Sequence, residues 1–150
     1  MPGMEKNRSN ERLLGVDPGE KRIGISISDP SGTISRPLRV IRHTSYRESA
    51  REILKICFAM DIKKIVIGIS RDEKGEATFS GRKAQRLGEA IQGFADVPIE
   101  YWDEADTTRI AQQTRREMGI SRKRRRGHLD DVAACILLQS YIDSHFERGE

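Results

Sequence analysis

The sequence predicts an α/β fold: a mixed five-stranded sheet, with three antiparallel strands followed by parallel crossovers and helices on both faces. Between residues 12 and 40, apolar residues alternate with small or polar ones, which is typical of paired antiparallel strands. Residues 64–69, KIVIGI, form a continuous apolar run of the kind buried on both faces of a parallel sheet. Helical patterns flank this run, so right-handed crossovers should connect the later strands.

The first three strands are predicted at residues 12–17, 23–28 and 33–40. Asp17, Pro18 and Gly19 lie between the first two, which predicts a hairpin with one carboxylate near its mouth. The segment DPSG, residues 29–32, predicts the next turn.

A helix should follow, because Ser45 and Glu48 have capping-box spacing and apolar residues recur on one face through residue 59. The remaining predicted elements are a strand at 64–69, a helix at 79–94, a strand at 99–102, and helices at 107–118 and 129–144.

Length and composition predict one domain, residues 12–146, preceded by a disordered polar tail at 1–11. The chain has 150 residues, of which 33% are charged and 36% hydrophobic. It contains no apolar run of the length that a membrane span needs and no signal-peptide core, so we expect a cytoplasmic protein with no membrane partner. Cys57 and Cys135 lack metal-ligand spacing and are predicted to be free thiols.

Charge is distributed unevenly along the chain. Residues 109–127 carry eight basic side chains and one acid, a local charge of +7, whereas residues 96–106 carry five acids and no basic residue. An acidic cluster beside a basic strip is the pattern expected when carboxylates hold cations and basic groups hold a polyanion. A solvated charge run is the alternative interpretation of the basic strip.

Acidic residues from three separate parts of the chain are predicted to meet at one edge of the sheet. Asp17 follows the first strand, and Asp103 with Glu104 follows the last. Asp130 or Asp131, at the start of the final helix, supplies a third acid. Taken singly, each has a simpler explanation as a turn former, a strand end or a helix N-terminal acid.

Together these acids indicate a metal site. Oxygen-only ligation suits hard divalent cations, here Mg²⁺ or Mn²⁺. Two such ions about 4 Å apart can activate a water and stabilise the leaving oxygen of a phosphodiester.

Three motifs in order resemble those of the YqgF/RuvX family, nucleases of RNase H-like fold related to Holliday junction resolvases. LGVDPGEKRIGISISD, residues 14–29, is similar to the family's first motif, and WDEADTT, residues 102–108, to its DER-x-TT motif. HLDDVAACILLQSYID, residues 128–143, is similar to its terminal helix. The resemblance covers residues 13–144.

The resemblance implies a divalent-metal nuclease that uses one acid from each motif: Asp17, Glu104 and Asp130, with Asp103 as the alternative in the second motif. It also implies a nucleic-acid partner, either precursor 16S rRNA, with ribosomal particles, or branched DNA, and a monomer or a homodimer. The residues expected to contact nucleic acid are Lys21, Arg22, Arg109, Arg122, Lys123, Arg124, Arg125 and Arg126.

Two positions depart from the family pattern: Ala105 replaces the usual Arg, and Ser70 replaces the usual Pro after the buried strand. Ala105 removes a partner for phosphate or carboxylate, which keeps a non-catalytic nucleic-acid-binding factor in ribosome assembly as an alternative. The glycine hairpin also resembles the phosphate loop of actin-like ATPases, but those enzymes close two such domains around a nucleotide.

Overall fold

A five-stranded mixed sheet lies at the centre of the protein. The computed structural model describes residues 11–103 and 130–147. The strands are β1 (Leu13–Pro18), β2 (Arg22–Ser28), β3 (Ser35–Arg42), β4 (Lys64–Ile69) and β5 (Ile99–Asp103). The helices in these ranges are α1 (Tyr46–Met60), α2 (Phe79–Gln92) and α3 (Asp130–Glu147). Residues 1–10 of the expected tail at 1–11, and the predicted helix at 107–118, lie outside the described residues.

The strand order is β3-β2-β1-β4-β5. β1 and β3 each pair with β2 antiparallel, whereas β4 pairs with β1 and β5 in parallel. This is the mixed sheet that the sequence predicts, with an antiparallel meander on one side and parallel crossovers on the other. The fold class is therefore confirmed.

The third strand begins two residues later than predicted, because the side chain of Asp29 holds the preceding residues in a loop. Its Oδ1 accepts hydrogen bonds from the backbone N–H groups of Thr33, at 2.9 Å, and Ile34, at 3.1 Å. The Ser31 hydroxyl donates to Oδ2 at 2.5 Å. Burial alone would raise the pKa of Asp29, but these hydrogen bonds outweigh it and lower the pKa to about 2.

Helices cover both faces of the sheet. α1 and α2 pack on one face, over a core that includes Val16, Ile25 and Ile67. α3 packs on the other face, where Leu137, Leu138 and Ile142 meet side chains of the parallel strands. The Ser45 hydroxyl accepts from the backbone N–H of Glu48 at the start of α1, which confirms the predicted cap.

α3 approaches the sheet closely because small residues line its path. A Cβ on Gly24 would lie 2.5 Å from the carbonyl carbon of Asp130, and one on Gly68 would lie 2.9 Å from Leu137 Cδ2. A side chain at Gly24 would require the backbone of α3 to move, and one at Gly68 would require at least the Leu137 side chain to shift. These glycines therefore fix how near the start and middle of α3 lie to β2 and β4.

Buried hydroxyl groups fix the position of α3 along the sheet. The Ser26 hydroxyl in β2 donates to the carbonyl of Ala134 at 2.7 Å, and the Ser35 hydroxyl in β3 donates to that of Cys135 at 2.7 Å. The Gln139 side chain accepts from the backbone N–H of Ser35 at 2.8 Å. Because burial without a partner is costly for these groups, sliding the helix by one residue would be unfavourable.

Both cysteines are free thiols, as predicted. Burial raises the pKa of Cys57 to about 12, which makes it a poor nucleophile at neutral pH. Among the described residues, no helix has the length and apolar character to cross a membrane.

The first prediction concerns Gly24. Gly24→Ala should destabilise the protein by about 1–3 kcal/mol, because the new methyl group collides with the backbone at the start of α3. Denaturant unfolding measures the change. The matched control is Gly93→Ala, since Gly93 has helical backbone angles and a Cβ there would come no closer than 3.4 Å to any neighbour. Equal losses from the two substitutions would refute the close-approach argument.

The second prediction concerns Asp29 and pH. Asp29→Ala should lower the free energy of unfolding by about 1–2 kcal/mol at pH 7, allowing for solvent around this carboxylate. Because folding depresses the pKa of Asp29 from 3.8 to about 2, its stabilisation is complete above about pH 5 and is lost as the pH falls through 3.8 to below 2. Urea unfolding of both proteins across this range should show the gap closing. A gap independent of pH would contradict a role for the charge.

Candidate metal and nucleic-acid site

Asp17 lies near the carboxyl end of β1, on the face of the sheet that α3 covers. Its direct partner across the antiparallel pair is Gly24, and direct partners point to the same face. Gly24 faces the start of α3, and Gly15, two residues before Asp17, faces the same helix further along, at Ala134 and Leu138. The Asp17 side chain is half-buried. Strand alternation thus directs this carboxylate towards the N-terminus of α3.

Asp130 begins α3 and contacts the same part of the sheet. Its backbone carbonyl lies against Gly24, the cross-strand neighbour of Asp17. One helical face runs from Asp130 through Ala134, Leu137 and Leu138, and all three of these residues are buried against the sheet. Asp131 instead lies one turn before Cys135, whose carbonyl bonds to Ser35 in β3. Of the two acids, Asp130 is the one aligned with Asp17.

The positively charged side chain of Arg22 lies next to these two acids. The Arg22 guanidinium lies 3.7 Å from Asp130 Oδ2, and its side chain is 56% exposed. An exposed pair at this distance contributes at most about 1 kcal/mol. Because the Arg22 side chain is largely exposed and this contact is weak, Arg22 can also contact another anion.

Asp103 lies at the same edge of the sheet but points to the other face. It ends β5 and pairs with Ile69, which is buried in the core beneath α1 and α2. Trp102, one residue earlier, packs against α3. β4 separates β1 from β5, so Asp103 stands two strand spacings from Asp17, roughly 10 Å. Glu104 lies outside the described residues.

The donor set at this edge fits a hard divalent cation. Asp17 and Asp130 offer carboxylate oxygens from one face, and such oxygens are the ligands that Mg²⁺ and Mn²⁺ prefer. Within the described ranges no group of three His, Cys, Asp or Glu side chains is close enough to hold a metal. The described residues thus supply two carboxylates of the expected three.

Two of the residues predicted to contact nucleic acid, Lys21 and Arg22, border the acids and are exposed. They adjoin the tight turn between β1 and β2, where a Cβ on Gly19 would collide with the carbonyl of Arg22. The other predicted contacts lie outside the described residues: Arg109, Arg122, Lys123, Arg124, Arg125 and Arg126.

Sequence reasoning missed the residues that position α3. Ser26 and Ser35 lie within strands, and a polar residue at a buried strand position is the signal that could have identified Ser26. A second missed group holds the far end of the helix: Glu100 accepts from Lys64 Nζ at 3.0 Å and from the Tyr141 hydroxyl at 2.8 Å. Burial raises the pKa of Glu100, but the two hydrogen bonds outweigh it and lower the pKa.

Comparison with known proteins identifies a family and close relatives. The family model described as RuvX, Holliday junction resolvase, matches residues 11–144. A protein of Clostridium beijerinckii named "Putative pre-16S rRNA nuclease" is 37% identical over 132 residues, which cover 88% of this chain and 96% of the relative. A protein of the same name from Caldanaerobacter subterraneus is 37% identical over 134 residues, with coverage of 89% and 96%.

Solved structures share the fold at low sequence identity. RuvC of T. thermophilus in complex with a Holliday junction substrate superposes with a TM-score of 0.60 at 13% identity, covering 91% of this chain and 96% of that chain. The fowlpox virus Holliday junction resolvase gives a TM-score of 0.53 at 14% identity, covering 89% and 99%. The mixed sheet and its helices thus have the RuvC-like arrangement of the RNase H fold.

Proposed function

The chain belongs to the RuvX family of Holliday junction resolvases, and from this membership we propose that it is a divalent-metal-dependent nuclease that processes the 5′ end of precursor 16S rRNA in the cytoplasm. The observation that carries the proposal is the placement of Asp17 and Asp130 on either side of Gly24, on one face and at one edge of the sheet. The curated relatives carry the name of a pre-16S rRNA nuclease.

Asp17, Glu104 and Asp130 are the proposed metal ligands and catalytic acids. Asp103 is the alternative in the second motif, and it shares the face of Ile69, opposite to that of Asp17. A site of this kind takes Mg²⁺ or Mn²⁺, and two bound ions would activate a water and stabilise the leaving oxygen of the phosphodiester.

The protein groups position the substrate for this chemistry. Arg22, beside Asp130, offers guanidinium N–H groups to a phosphate oxygen, with Lys21 next to it. The basic strip at 109–126 supplies further phosphate contacts, which do not depend on base sequence. Its proposed contact residues are Arg109, Arg122, Lys123, Arg124, Arg125 and Arg126.

Cleavage of a Holliday junction is the second candidate function. It is favoured by the family description and by the fold shared with T. thermophilus RuvC, whose structure holds a Holliday junction. Symmetric cleavage of a junction requires two sites related by a two-fold axis, hence a homodimer, whereas trimming of an RNA end requires only a monomer. A non-catalytic factor is the third candidate, because Ala105 stands where the family usually has Arg.

The third prediction tests the catalytic role of Asp17. With Mg²⁺ or Mn²⁺, the protein should cleave precursor 16S rRNA, and Asp17→Asn should lower the rate by at least about 100-fold, because the neutral amide is a weak metal ligand. Substrate binding and melting temperature should change little. Single-turnover cleavage assays with and without EDTA measure the effect.

The matched control is Asp96→Asn, an exposed acid in the loop before β5. A four-way DNA junction, assayed in parallel, distinguishes the first two candidate functions. Cleavage of the RNA alone supports the first, and cleavage of the junction alone supports the second. Binding of either substrate without cleavage by the wild-type protein would support the non-catalytic factor, and full activity of Asp17→Asn would overturn the catalytic assignment.

A further inference from the structure

Two arginines stand side by side at the edge of the sheet that carries Asp17. In the β2–β3 pair, Arg22 is directly opposite Arg42. Two residues further along β2, Gly24 is directly opposite Asp17 in β1. Arg42 therefore lies two strands from Asp17, roughly 10 Å across the sheet, on the side away from β4 and β5.

Both arginines project from the face that α3 covers. Arg22 is two residues before Gly24, which faces the start of α3, and its guanidinium reaches Asp130. As the direct partner of Arg22, Arg42 points to the same face. Ile41, one residue before it, is buried under the helices on the other face. The acids and the two arginines thus share one surface.

This pairing is unfavourable for the protein alone. Like charges directly opposite each other in a sheet are destabilising. Asp130 partly compensates Arg22, but no acid in the described parts of the chain lies within ion-pair distance of Arg42, which is exposed. Lys21 adds a third charge nearby, because its carbonyl accepts from the N–H of His43 at 2.8 Å. A bound anion would relieve this repulsion.

We propose that Arg22 and Arg42 together bind a backbone phosphate next to the one that is cleaved, so that the nucleic acid runs from the acids across β2 and β3. Two guanidinium groups offer paired N–H donors to phosphate oxygens. This inference rests on the proposed function, because it places the substrate relative to the same acids. It adds a contact on the opposite side of Asp17 from β5 and Asp103.

The test compares Arg42→Ala with Arg39→Ala. Arg39 is an exposed arginine of the same strand, but it pairs with Ile25, which faces α1 and α2, so it is a matched control on the opposite face. Binding to single-stranded RNA and DNA of one sequence is measured in EDTA at several salt concentrations. Arg42→Ala should reduce the slope of log K against log salt by about 0.7, which is the contribution of one phosphate contact. The reduction should be the same for the RNA and for the DNA.

Arg39→Ala should leave this slope unchanged, and Arg42→Lys should restore the slope but not the full affinity, since lysine lacks the guanidinium fork. The melting temperature of Arg42→Ala should stay the same or rise, because repulsion with Arg22 is removed. Equal slopes for Arg42→Ala and the wild-type protein would overturn the inference, as would equal losses for Arg42→Ala and Arg39→Ala.

Failure of this inference is distinguishable from failure of the proposed function. The binding assay requires neither metal nor cleavage, whereas the proposed function depends on the Asp17→Asn cleavage assay. Metal-dependent cleavage with an unchanged Arg42→Ala slope would refute the phosphate contact alone. A reduced slope without any cleavage would refute the nuclease while retaining the contact.

Discussion

The close approach of α3 to the sheet is the constraint on which the site depends. Gly24 leaves room for the backbone of Asp130, and its cross-strand partner is Asp17. Burial of Leu137 and Leu138 contributes about 1.5–3 kcal/mol each. The free energy of helix packing therefore offsets the electrostatic repulsion between Asp17 and Asp130, which lie on the same face of the sheet.

Acidic and basic side chains form separate groups at this edge of the sheet. Asp17 and Asp130 lie near the end of β1, and Arg22 and Arg42 lie beside them on β2 and β3. Each arrangement brings like charges together, and in the proposed complex a divalent cation would offset the charge of the acids and a phosphate that of the arginines. Near these charges, the polar groups that hold α3 are neutral: the hydroxyls of Ser26 and Ser35 and the side chain of Gln139.

Local patterns in the sequence predict most of the fold, because β1, β2, β4 and α1 each have a clear hydrophobic period or cap. The common edge of Asp17 and Asp103 also follows, since both lie at the carboxyl ends of strands that run parallel to β4. The start of β3 was predicted two residues early, because it depends on hydrogen bonds from Thr33 and Ile34 to a side chain. The pairing of Arg22 with Arg42 depends on a register shift in the β2–β3 ladder, which hydrophobic periodicity does not encode.

We propose that Asp17 and Asp130 bind the same metal ion. Titration of Mn²⁺ into the wild-type protein, Asp17→Asn, Asp130→Asn and the double variant, followed by calorimetry, tests it most directly. Each single variant should bind Mn²⁺ at least about tenfold more weakly than the wild-type protein. The fold-loss of Mn²⁺ affinity in the double variant should be smaller than the product of the two single fold-losses, because both acids bind one ion. The control variant Asp96→Asn, at an exposed acid before β5, should bind Mn²⁺ as tightly as the wild-type protein. Unchanged Mn²⁺ affinity in Asp130→Asn would show that the two acids do not bind one ion, and so would a double variant whose fold-loss equals the product of the two single fold-losses.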